Sequence, residues 1–118
     1  MISQLEIPSY LEEALPDISK ELKVNKKGNA YDAMNALIVF TGKNIKAHNY
    51  KMVRCCFEIA DKLYNKGNTM VKNAVQNVFV YSFTKMFEIY AAEKQQILGM
   101  LPATLYALYI AQVHHRGC

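Results

Sequence analysis

The chain predicts an all-α fold, a single-domain bundle of about five helices, and three observations predict it. Apolar residues recur at helical spacing along most of the sequence. Proline and glycine are scarce, 3 and 5 of 118 residues, while Met, Leu, Ala, Lys and Glu, all good helix formers, are plentiful. No β-hairpin signal is present: Val78-Phe79-Val80-Tyr81 is strand-like in composition, but its context is helical.

In chain order, the first element is a short helical region over Ser9 to Leu22. Pro16 interrupts it, because proline cannot continue a helix without losing a hydrogen bond. Tyr10, Leu11, Leu15, Ile18 and Leu22 give it an apolar side, and Lys26-Lys27-Gly28-Asn29 reads as a polar loop. The next helix starts with Asn29 as N-cap and Asp32 in its first turn, where a carboxylate suits the helix dipole. Met34, Leu37, Ile38, Thr41 and Ile45 form its stripe, Tyr31 and Phe40 broaden it, and Gly42 weakens its end.

The clearest pattern runs from Asn49 to Tyr90. Val53, Cys56, Phe57, Ala60, Leu63 and Tyr64 line one face of a helix capped by Asn49 and ended by Gly67 at the C′ position. Asn68 or Thr69 caps a second helix carrying Val71, Ala74, Val75, Val78, Phe79, Ser82, Phe83 and Met86. Two such helices joined by Asn65-Lys66-Gly67-Asn68-Thr69 form an antiparallel hairpin. The second is apolar nearly all round, with Val80 and Phe87 off the stripe and no charge from Asn73 to Thr84, which suits the middle of a bundle. It is expected to run toward Leu98 and stop near Gly99. Pro102 then opens a last helix bearing Leu105, Leu108, Tyr109 and Gln112. Helix pairs stacked in the HEAT manner are one arrangement open to such a chain, although no internal repeat is present.

Residues 1–118 are expected to form one domain, long enough to bury a core without disulfides or metals. Cys55, Cys56 and Cys118 are odd in number, and two are adjacent, so reduced thiols and a cytoplasmic location are expected. Met1 to Glu13 shows no basic segment followed by an apolar core, so no signal peptide is expected. The uncharged stretch from Gln95 to Val113 is nearly long enough for a membrane span. Gly99, Pro102 and three glutamines argue instead for a helix end, a turn and another helix, and no membrane association is expected.

The formal charge of +4 is unevenly spread. Glu6, Glu12, Glu13, Asp17 and Glu21 outweigh Lys20 and Lys23 at the N-terminus. The middle is basic, with Lys43, Lys46, Lys51 and Arg54 as a candidate binding surface for an acidic protein or for nucleic acid. The competing reading is an ordinary solvated face. The predominance of lysine over arginine weighs against specific phosphate or base recognition.

Chemistry is sparse. There is no Walker loop, no dinucleotide glycine fingerprint and no HExxH, and neither a cofactor nor a metal is expected. Of the three histidines, His114 and His115 sit at the end of the last helix, where positive charge is favourable. A pairing of Cys55 or Cys56 with His48 would lack an orienting third group. Glu12, Glu13, Glu58 and Asp61 read as surface carboxylates. The eight tyrosines, without any tryptophan, suit half-buried and interfacial positions. A homodimer through the charge-poor C-terminal helices, burying Tyr106 and Tyr109, is one arrangement open to the chain on the same ground.

The run from Phe57 through Asp61-Lys62-Leu63-Tyr64-Asn65-Lys66-Gly67-Asn68, followed by Val71-Lys72-Asn73-Ala74-Val75 and Val80-Tyr81-Ser82-Phe83, carries a resemblance within residues 50–87. It resembles small, largely uncharacterised bacterial helical proteins, several of them similar to immunity proteins of contact-dependent and polymorphic toxin systems. That resemblance implies a helical fold and a toxin as protein partner, but no binding residues. Immunity proteins against nuclease toxins are often acidic, and the basic middle of this chain departs from that. The leading expectation is therefore a non-enzymatic protein-binding domain, with an immunity-type protein as its sharper form. The alternative is a basic helical module that binds nucleic acid.

Overall fold

The protein is described here by a computed structural model covering residues 1–24 and 29–116. Capping explains where most helices begin. A 3-10 turn over Gln4–Glu6, closed by Ser3 N–H donating to Glu6 Oε2 at 3.0 Å, leads into α1, Ile7–Ala14. Pro16 ends it as expected and starts a second 3-10 turn, Pro16–Ile18, ahead of α2, Ser19–Val24. The polar loop read at Lys26-Lys27-Gly28 lies outside the described residues. Asn29 caps α3, Ala30–Lys46, by accepting from Asp32 N–H at 2.8 Å. Asn49 caps α4, Tyr50–Lys66, through a longer contact of 3.4 Å from Met52 N–H. Asn68 caps α5, Thr69–Ala74, accepting from Val71 N–H at 3.1 Å.

Helix α3 ends by a means the sequence did not announce. His48 N–H donates to Ile45 O at 3.0 Å and Asn49 N–H to Asn44 O at 2.9 Å. This is a Schellman closure with His48, at φ 59°, in the left-handed position that usually holds glycine. Gly67, expected to fill that role for α4, has an extended backbone instead (φ −77°, ψ 158°). What requires glycine there is crowding. A Cβ would lie 2.4 Å from Leu63 O and 2.6 Å from Val71 Cβ. The N-terminal chain adds to the crowding, because Ile2 donates to Lys66 O at 2.8 Å and accepts from Asn68 N–H at 2.9 Å.

The helix expected to run unbroken from Thr69 toward Leu98 is divided. After α5 the chain widens into a π-helical segment, Val75–Val80, then turns at Tyr81-Ser82 into α6, Phe83–Ile89. Ser82 Oγ donates to Val78 O at 2.6 Å, a back-bond that bends helices. Tyr90 (φ −113°, ψ 48°) breaks the helix again, and the 3-10 turn Ala91–Glu93 and α7, Lys94–Leu98, follow before Gly99. Helix α8, Ala103–Arg116, starts just after Pro102. The wide π turn shifts the register, which corrects the stripe read at uniform helical spacing. Val80 and Phe87 are buried, whereas Val78 is half-buried.

The result is an all-α architecture with eight α-helices among the described residues. The central position belongs to α3, which packs on α1, α2, α4, α5 and the π segment. One contiguous core unites the elements. Its densest part is aromatic: Phe57 of α4 meets Phe79 and Phe83 edge-on at 6.1 and 5.6 Å, and Tyr109 of α8 meets Phe87 at 5.4 Å. Gln112 Nε2 of α8 donates to Gln76 O in the π segment at 2.8 Å, tying the last helix to that irregular turn. Residues 95–113 thus divide between α7, a turn and α8, and no helix among the described residues is long and apolar enough to cross a membrane.

Candidate functional site

Helices α3 and α6 are far apart in sequence and present facing stripes. On α3 the stripe is Ile38, Val39, Gly42, Lys43 and Lys46, and on the other wall it is Ser82, Lys85, Met86, Ile89 and Tyr90. Between them lies an open hollow of about 410 Å³. Gly42 is part of the lining, and the space beside it is open. A Cβ built at Gly42 would meet no atom within 4 Å. Tyr90 O–H donates to Gly42 O at 3.3 Å and ties the two walls together.

The hollow is apolar inside and basic at its rim. Val39 is 47% exposed and Ile89 68%, so two large aliphatic side chains lie open in one hollow, while Met86 in the same lining is buried. The exposed lysines Lys43, Lys46 and Lys85 surround this surface. Lys43 Nζ is ion-paired with Glu21, a carboxylate that α2 holds almost fully buried. Lys46 and Lys85 form no ion pair within the described residues.

Of the four basic residues singled out in the sequence, Lys43 and Lys46 line this hollow. Lys51 and Arg54 lie exposed on α4, outside its walls. The sequence reading missed Lys85, Val39 and Ile89. The signal within reach was Gly42, a residue of low helix propensity placed inside a helical stripe.

The other candidates fall apart or are engaged elsewhere. Glu12, Glu13 and Glu58 are exposed, and Asp61 is half-buried on α4. Cys56 is buried, and burial above all pushes its thiol up from an ordinary 9.0 to about 11, so it carries no thiolate near neutral pH. His48 pairs with neither cysteine. Its Nδ1 lies 3.0 Å from the Tyr50 hydroxyl, which itself donates to Glu93 Oε2 at 3.0 Å, so Nδ1–H is the donor in that contact. Partial burial, then the Glu93 hydrogen bond and its charge, raise the Tyr50 phenol. Helix α8 extends through His114 and His115 to Arg116. Tyr109 is covered inside the chain by Phe83 and Phe87, which leaves Tyr106 and Val113 as the exposed apolar groups of α8. No cluster of three or more His, Cys, Asp or Glu able to hold a metal occurs among the described residues. A second hollow, of about 450 Å³, lies beside Tyr31, Asn68, Thr69, Met70 and Asn73, and its Asn68 is committed to capping α5.

A family model described as a domain of unknown function (DUF7674) matches residues 8–115. The chain belongs to the DUF7674 family. The match takes in every helix from α2 to α7 and both walls of the hollow. Membership in DUF7674 carries no link to immunity proteins. No curated protein and no solved structure matches the chain.

Proposed function

We propose that this domain is a non-enzymatic protein-binding module that engages its partner through the hollow between α3 and α6. The observation that carries this reading is the exposure of Val39 and Ile89 together in one lysine-rimmed apolar hollow, beside the single core that gathers the buried apolar side chains. The buried, protonated Cys56 supports a binding role over nucleophilic chemistry. The sharper form, an immunity-type protein that neutralises a partner toxin, rests on the resemblance carried by residues 50–87.

The test is affinity capture from the source lysate at low and moderate salt with nuclease treatment, followed by reconstitution with the purified partner. A 1:1 protein complex that survives both treatments is expected, and a toxin as partner would establish the sharper form. Recovery of nucleic acid alone, removed by salt and lost when Lys43, Lys46, Lys51 and Arg54 are reversed in charge, would replace this reading with a nucleic-acid-binding module.

A further inference from the structure

We propose that the hollow between α3 and α6 receives an acidic amphipathic helix of the partner protein, an inference that rests on the protein-binding reading above. Charge complementarity carries it. Lys46 stands on one wall and Lys85 on the other, both without an ion-pair partner among the described residues, and the strip between them is aliphatic. The matching ligand has an apolar stripe with carboxylates on both flanks, the distribution an amphipathic helix presents along its length.

The shape favours a helix over an extended segment. An added strand needs an exposed sheet edge with free backbone groups. Among the described residues the only β-type pairing is the isolated bridge of Ile2 with Gly67, far along the chain from either wall. The two walls are themselves helices, and a third laid along them places its apolar stripe against Val39, Met86 and Ile89. The open space beside Gly42 admits an incoming side chain, as no atom there would meet even a Cβ. An acidic ligand also suits lysine at the rim, a compact charge that steers association without demanding one fixed geometry.

The probe is a lactam-bridged helical peptide with a leucine stripe flanked by glutamates, titrated into the full-length 15N-labelled chain and followed by amide shifts and calorimetry. Shifts are expected at Val39, Gly42, Met86 and Ile89. The double reversal K46E/K85E should weaken binding by roughly tenfold or more. Gly42→Leu, which fills open space, should keep the fold and abolish those shifts. Lys51→Glu, outside the hollow, should change affinity by less than about twofold.

The proposal is overturned if the acidic peptide produces no shift up to millimolar concentration, if shifts map elsewhere, or if the peptide with lysines in place of glutamates binds as well. Equal shifts from dodecanoate would reassign the hollow to a free anionic amphiphile. Concentration-dependent dimerisation of the chain alone, abolished by Gly42→Leu, would reassign it to a second copy. The two readings fail separately. A purified protein partner whose 1:1 complex is abolished by Gly42→Leu but unchanged by K46E/K85E sinks the acidic-helix inference and leaves the protein-binding reading standing, whereas absence of any protein partner sinks the reading itself.

Discussion

Gly42→Ala is the perturbation that bears most directly on the site. Gly42 lies well inside α3, whose hydrogen-bonded course runs from Ala30 to Lys46. Its backbone is not left-handed, and an added Cβ meets nothing within 4 Å, so neither strain nor overlap opposes the methyl group. The side-chain hydrogen bond to residue 42, from the Tyr90 hydroxyl to its carbonyl, involves backbone and survives the change. What remains is helix propensity, which favours alanine over glycine by ~0.8–1.0 kcal/mol. For a chain of 118 residues the unfolding entropy near Tm is about 0.25 kcal/mol/K, so the gain corresponds to a rise of ~3–4 °C. Thermal unfolding followed by circular dichroism, supported by urea titration with an unchanged slope, reads both quantities. A Tm that stays level or falls would refute the reasoning, because it would mean that the helix or the space around residue 42 differs from the structure. A rise would mean that the chain carries a less stable residue in the lining of its hollow, as expected when a site is kept open at the expense of stability.

Other perturbations test other links. Gly67→Ala should cost about 1–3 kcal/mol through overpacking against Leu63 and Val71, and a neutral result in urea denaturation would show that the turn can shift to admit a side chain. Phe83→Ala, at the centre of the aromatic cluster, should cost ~3–5 kcal/mol, and a loss below about 1 kcal/mol would mean that the cluster is not close-packed. His48→Gly removes a left-handed non-glycine residue costing ~1–2 kcal/mol and gives up only exposed contacts, so net stabilisation is expected; a clear loss would show that the links to Tyr50 and Glu93 dominate. Cys56 should make stability pH-dependent. Its folded value of about 11 lies above the ordinary 9.0, so the unfolded chain loses the proton first as pH rises. That stability is intact below pH 9 and is lost through pH 11, by up to ~3 kcal/mol. Wild type and Cys56→Ala should therefore diverge in urea midpoints across this range, and parallel profiles would show that the thiol is not desolvated.

Much of this fold is set by sequence over short range. Asn29, Asn49 and Asn68 place helix starts because each cap needs only an acceptor and an N–H three residues on. Pro16 and Pro102 mark boundaries through their fixed φ and missing donor. The stripe on α4 is buried where its spacing predicts, apart from Tyr64, which remains half-buried. Other features follow from packing between distant segments. The π turn at Val75–Val80 exchanges Val78 for Val80 in the core, with α8 supplying a donor to Gln76 O. Gly67 is required by the approach of Leu63 and Val71, whatever its φ. His48 takes a glycine-like conformation where Tyr50 and Glu93 meet it.

The hollow belongs to the same class. Sequence alone marked Lys43 and Lys46 as basic, but grouped them with Lys51 and Arg54, their neighbours along the chain. Tertiary structure instead set them opposite Lys85 and Ile89. Helical periodicity reports which face of a helix is apolar and says nothing about which other helix covers it. That second choice is made by the summed packing of the whole core. Where the packing of α3 and α6 leaves open the space that a Cβ at residue 42 would take, a hollow remains that no local pattern records.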